Sequence, residues 1–124
     1  VPREANIRSG PGTDYEVIWK AAMYYPLKVA ERDGDWVSIR DFENDEGWIH
    51  RSLLSDTPAV VVVTAKANLR EGPGLDYKSL WILEKGYSLK VLKTDGDWYK
   101  VSDDEVTGWL HKSVTWGFTE HPLD

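Results

Sequence analysis

The segment ANIRSGPGTDY, Ala5 to Tyr15, returns as ANLREGPGLDY, Ala67 to Tyr77, 62 positions later. This duplication constrains the fold more than any other feature, because each half must bury its own core with about 60 residues. The register holds from Ala5–Phe42 onto Ala67–Asp104. After a loop one residue shorter in the second copy, it resumes from Glu46–Leu53 onto Thr107–Val114. The tryptophans pair accordingly, Trp19 with Trp81, Trp36 with Trp98 and Trp48 with Trp109, leaving Trp116 unmatched. The expected units are residues 1–57 and 58–124, joined through SDTPA at Ser55–Ala59, where a proline stiffens the link.

Each copy reads as all-β. LKVAERDGDWVSIR, and again LKVLKTDGDWYKV, sets two apolar-alternating runs around an Asp-Gly, a strong hairpin signal. A short acidic loop follows, then EGWIHRSLL or TGWLHKSVT, a strand ending in one turn. No helical periodicity extends beyond two turns. Four or five short strands per copy are too few for a sandwich, so each copy is expected to curl into a small barrel. VVVVTAKANLR is expected to open the second copy as one strand of up to eleven residues, with Val60–Val63 packed partly against the first copy. The repeat sets Val1 opposite Val63. The chain does not open with Met, so a segment ahead of Val1 is expected to have been removed, a signal peptide and an artificial start being the alternatives.

The absence of cysteine excludes disulfides, thiolate metal sites and a cysteine nucleophile, and leaves the redox compartment open. The net charge of −6 argues against nucleic acid and other polyanions as partners. No apolar run is long enough to span a membrane as a helix.

The Gly-Pro-Gly loop invites a phosphate-binding reading, but that chemistry needs a following helix N-terminus. Here TDYEVIWK follows, rich in β-branched and aromatic residues; Asp14 would repel phosphate, and no Gly-Lys-Ser/Thr is present. The expectation is a turn, with Gly10 and Gly12 adopting backbone angles closed to other residues and Pro11 stiffening the bend.

Alternation separates core from surface. In WVSIR, Val37 and Ile39 share one face and Trp36, Ser38 and Arg40 the other; Trp98 likewise shares a face with Lys100 and Ser102. In GWIH, Ile49 opposes Trp48 and His50, and Leu110 opposes Trp109 and His111. An outer aromatic face is therefore expected in each copy, formed by Trp36, Trp48 and His50, or by Trp98, Trp109 and His111, with Tyr15 and Tyr77 handed to the surface beside it by the glycine loops as candidate groove walls. Trp48 and Trp109 have the alternative of folding over the barrel end, Tyr15 and Tyr77 of packing on their own loop, and the histidines of plain surface. Trp19 and Trp81 are expected in the core or at the barrel end. One histidine per copy cannot build a metal site, and DFENDE lacks calcium-loop spacing, so no metal or cofactor is expected.

The three ordered motifs, ANIRSGPGTDY/ANLREGPGLDY, GDWVSIR/GDWYKV and EGWIHRSLL/TGWLHKSV, resemble the bacterial SH3-like domains, in tandem and over essentially the whole chain. The resemblance implies two small SH3-like barrels of about five strands each. It also implies a ligand groove between the glycine loop on one side and the "GD" tryptophan and the residues after "GW" on the other. The acidic-tyrosine signature by which eukaryotic SH3 domains dock proline-rich peptides is absent, so that specificity is not implied.

The implied role is a non-catalytic binding module for a cell-envelope ligand, a peptidoglycan peptide or an extended protein segment, in a secreted or periplasmic setting. A structural pair that self-associates or docks another protein is the alternative. Catalysis is not expected: neither a Ser–His–Asp set in matched positions nor a paired-carboxylate pocket is evident.

Overall fold

A computed structural model describes residues 4–118. The first copy contains five strands, β1 (Glu4–Arg8), β2 (Val17–Ala22), β3 (Lys28–Asp33), β4 (Trp36–Arg40) and β5 (Glu46–His50), followed by a 3-10 turn at Arg51–Leu53. They form an antiparallel sheet in the order β2-β1-β5-β4-β3. The second copy repeats the set as β7 (Lys66–Arg70), β8 (Ser79–Glu84), β9 (Ser88–Asp95), β10 (Trp98–Ser102) and β11 (Thr107–His111), with its own 3-10 turn at Lys112–Val114. Two further strands, β6 (Ala59–Val62) and β12 (Thr115–Phe118), extend this sheet to β12-β6-β9-β10-β11-β7-β8. The chain is thus two small all-β domains, as the repeat and the alternation imply, and of the SH3-like type that the motif resemblance implies.

The alternating pattern sets the interior. Ala5, Ile7, Val37, Ile39 and Ile49 fill the first core; Ala67, Leu69, Leu89, Val101 and Leu110 fill the second. Each fully buried Ile or Leu contributes on the order of 1.5–3 kcal/mol, which is how so few residues close a domain. The hairpin glycines Gly34 and Gly96 take φ of 62° and 59°, the left-handed geometry that Asp-Gly announces.

The long opening strand expected of the second copy is broken. VVVV and AKANLR are separate strands, β6 and β7, interrupted at Val63–Ala65. The break lets β6 pair with β9 and β12 while β7 pairs with β8 and β11. Val60 and Val62 enter the second core. Val61 is fully buried on the opposite face and lies in register with Ser88, whose hydroxyl donates to the Met23 carbonyl of the first domain at 2.7 Å. Directly opposed residues share a face, so Val61 faces the first domain. Val1, its proposed relation to Val63 included, lies outside the described residues.

The two domains meet through turns and acidic loops. The Tyr24 hydroxyl and the Lys90 ammonium both donate to Asp104. In the reciprocal contact, Lys85 lies 3.6 Å from Glu43 and 6.0 Å from the Phe42 ring centroid. Lys90 and Tyr24 hold the Asp104 carboxyl below its usual range, and Asp104 in turn raises both of their pKa values.

Candidate functional site

The "GD" tryptophans and the "GW" histidines are cross-strand partners. Trp36 is opposed to His50 across β4 and β5, and Trp98 to His111 across β10 and β11. The rings meet edge to face at 5.3 Å and 88° in the first domain, and at 5.0 Å and 85° in the second. All four rings are half-buried.

Each histidine is held from behind. His111 caps the 3-10 turn, its Nδ1 accepting the Ser113 N–H at 3.1 Å with Ser113 Oγ at 2.8 Å; His50 repeats this on Ser52 at 3.2 and 2.7 Å. An Nδ1 that accepts an amide proton leaves the ring proton of the neutral form on Nε2. The Ser–His separation is that of a nucleophile and base, but here it belongs to a local cap spanning two residues.

The glycine loop supplies the opposite wall. Tyr15 lies across Gly10 and Gly12, and Tyr77 across Gly72 and Gly74, so closely that a Cβ at Gly10 or Gly72 would enter the ring. This differs from the expected reason for these glycines. The positive-φ glycines among the described residues are Gly34, Gly86, Gly96 and Gly117, so Gly10 and Gly72 are required for space and not for their dihedral angles, whereas a Cβ at Gly12 would stand 3.4 Å from the Tyr15 ring, an ordinary contact. Tyr15 and Tyr77 lie on their own loops, each ring remaining about half exposed.

An arginine in each copy fastens the loop. Arg8 Nη1 donates to the Thr13 and Tyr15 carbonyls at 3.3 and 3.1 Å, and Arg70 Nη1 to those of Leu75 and Tyr77 at 3.4 and 3.0 Å. Their placement at matched positions in ANIR and ANLR was the available sequence signal.

In the second domain these walls enclose an open groove of 670 Å³ lined by Asn68, Arg70, Leu75, Asp76, Trp98, His111, Ser113 and Val114. Its volume suits a small ligand or short peptide. Leu75, 76% exposed, forms an apolar lip where the first copy has Thr13. Trp98 and His111 both line the groove, while Tyr77 supports its loop wall. Trp48 is half-buried opposite Ser38 and Arg8; Trp109 is buried, 9% exposed, between Lys100 and Arg70 in register. Of the two placements open to Trp109, the outer face and the covered structural one, the structure shows the covered one.

Trp19 and Trp81 part ways. Trp19 packs on the first core, donates Nε1–H to the Glu46 carbonyl at 3.2 Å and meets Tyr25 edge to face at 6.1 Å. Trp81 is 57% exposed, so of the two places expected for it, core or barrel end, the core is not the one it takes.

The acidic loop serves a turn. Asp41, Glu43 and Asp45 bring carboxylate oxygens within 4.8 Å of one another, but buried Asp41 already accepts the N–H of Glu43 and Asp45 and the Tyr25 hydroxyl. Burial, then this bond, pushes the Tyr25 hydroxyl well above its usual range. Tyr87 donates to Asp103 in the same way; this bond, reinforced by burial, pushes it up to about 12. Among the described residues no helix is long and apolar enough to cross a membrane.

Comparison with known proteins follows the same division. Two families, each described as bacterial SH3 domain, match residues 1–56 and 65–115. A Bacillus subtilis (strain 168) protein named "Putative N-acetylmuramoyl-L-alanine amidase YrvJ" is 27% identical over 86% of this chain and 23% of its own length. An uncharacterized Haemophilus influenzae protein is 29% identical over 74% of this chain and 39% of its own. The chain therefore spans well under half of either relative. Among solved structures, an NlpC/P60 family protein from Bacillus cereus ATCC 10987 aligns over 92% of this chain and 53% of its own, at 18% identity and a TM-score of 0.41. The chain belongs to the bacterial SH3 domain family and carries two of its domains in tandem.

Proposed function

We propose that the chain, as two domains over residues 1–57 and 58–124, is a non-catalytic binding module for an extended cell-envelope ligand, a peptidoglycan peptide or a protein segment. The carrying observation is the Trp98–His111 pair, buttressed from behind and open in front, beside a 670 Å³ groove with Leu75 at its lip. Flat aromatics offer apolar contact at low entropic cost, while the Asp76 carboxylate and the His111 Nε2 edge supply polar contacts that orient a peptide. The first domain offers the same pair in Trp36 and His50. Two weak sites on one polymer would strengthen each other.

The amidase named among the relatives supports a cell-wall ligand, and with it an extracytoplasmic setting. The −6 charge disfavours anionic wall polymers. The test is a tryptophan-fluorescence or NMR titration with muropeptides and neutral extended peptides. Shifts centred on Trp98, His111 and Leu75, lost in Trp98→Ala, are expected. Muropeptide binding that survives in a Trp36→Ala, Trp98→Ala double variant would refute the assignment.

A further inference from the structure

The second domain leaves one sheet edge open. β8, SLWILE, is the last strand of its sheet and pairs with β7 alone. Its middle is Leu80-Trp81-Ile82-Leu83, with Trp81 57% and Ile82 62% exposed. Unpaired edges invite strand addition, and proteins commonly blunt them with an outward charge. The first copy does this: Lys20 occupies the position of Ile82, and Trp19 is folded in against Tyr25. In the second copy Trp81 stands away, and a groove of 410 Å³ opens between it and Ile82, Leu83, Tyr87, Leu89 and Val106.

The rim of this groove is acidic, carrying Glu84, Asp103 and Glu105. Asp103 accepts from Tyr87; Glu84 stands opposite Lys66 in register without an ion pair between them, and Glu105 has no ion-pair partner among the described residues. The molecule itself shows what such a rim accepts. On the corresponding face of the first domain, Trp19, Tyr25, Phe42 and Glu43 receive the Lys85–Gly86 turn of the second domain, with Lys85 beside the Glu43 carboxylate and over the Phe42 ring.

We infer that β8 and its groove form a second binding site, separate from the Trp98 groove, which takes an extended segment of a partner protein that alternates apolar and basic side chains. The segment adds as a strand along β8, its apolar side chains against Trp81, Leu83 and Val106 and its lysines or arginines toward Glu84 and Glu105. Backbone pairing supplies affinity and the acidic rim supplies selectivity. A second copy of this chain fits less well, because β8 against β8 would bring two acidic rims together.

The test uses the full chain and two synthetic hexapeptides of alternating sequence, Lys-Val and Glu-Val, followed by amide NMR. The Lys-Val peptide is expected to shift residues 80–84 and 105–106, to bind more weakly at high salt, and to bind about tenfold more tightly than the Glu-Val peptide. Ile82→Lys, at an exposed position and with unchanged melting, should abolish the shifts, while Trp98→Ala should leave them intact. Equal response to both peptides, shifts confined to the Trp98–His111 groove, or loss of binding in Trp98→Ala would overturn the inference. So would a dimer of the peptide-free chain that Ile82→Lys dissociates, since the edge would then belong to a second copy.

Discussion

The imidazole of His111 stands edge-on to the indole of Trp98, centroids 5.0 Å apart, and the His50–Trp36 pair reproduces this geometry in the other domain. The ring that faces the groove and the ring that caps the following turn are thereby one unit. Trp98→Ala is expected to cost about 1–2 kcal/mol, the scale of an aromatic pair and half a burial, and less than a core aromatic. Urea denaturation measures it; a loss above about 4 kcal/mol would place the indole in the core.

His111→Ala removes a cap as well as a ring contact, and should cost about 1 kcal/mol. His111→Asn keeps a short side-chain acceptor for the Ser113 N–H and should recover part of that loss without restoring the ring. If Asn and Ala are equally destabilising, the cap contributes nothing and the ring contact accounts for the whole effect.

Gly72→Ala should destabilise the second domain by about 1–3 kcal/mol through overpacking against Tyr77. Because the cost is steric, Tyr77→Ala in the same chain should relieve it, giving a coupling above about 0.5 kcal/mol in a double-mutant cycle. Additive losses would point to backbone strain at Gly72 instead.

Trp19→Ala and Trp81→Ala test how far the two copies have diverged. Removing Trp19 takes away core packing and a hydrogen bond and should cost about 2–4 kcal/mol, whereas Trp81→Ala should stay within about 0.5 kcal/mol of wild type. Comparable losses would show that Trp81 is covered in solution.

The Asp104 latch gives a pH dependence. Lys90, then Tyr24, holds the Asp104 pKa below its unfolded value, so its contribution is complete above the ordinary carboxylate range and fades as pH falls through the lowered value. Lys90 is raised by the same bond; its contribution is complete below the ordinary lysine range and fades as pH climbs through the raised value. Small-angle scattering or residual dipolar couplings should find the interdomain arrangement constant near neutrality and looser in acid. Asp104→Asn should show that looseness at pH 7. An arrangement indifferent to both changes would assign the interface to Val61 and its apolar neighbours.

Period-two alternation was enough to read Val37, Ile39, Ile49 and Leu110 as core and to bring Trp36 to His50, because one buried face allows one register. The Asp-Gly turns were equally legible. What escaped depends on contacts between segments far apart in the chain. The break at Val63–Ala65 exists because β12 returns to pair with β6. The burial of Trp109 depends on its setting between Lys100 and Arg70. The exposure of Trp81 is hidden by its identity with Trp19, since identical residues in a repeat imply identical surroundings only while their neighbours also match. Lys20 and Ile82 do not match, and that difference was visible in the sequence without its meaning.

Strand β12 lies antiparallel to β6 with Phe118 opposite Ala59. The first residue of β6 and the last described residue of β12 therefore lie side by side at one corner of the second domain. Tension drawn through those two points would peel the strands one rung at a time, as a zipper opens, instead of shearing every rung at once. Under mechanical load this domain would yield progressively from that corner, and the seam joining the two strands would set the force at which it begins to give way.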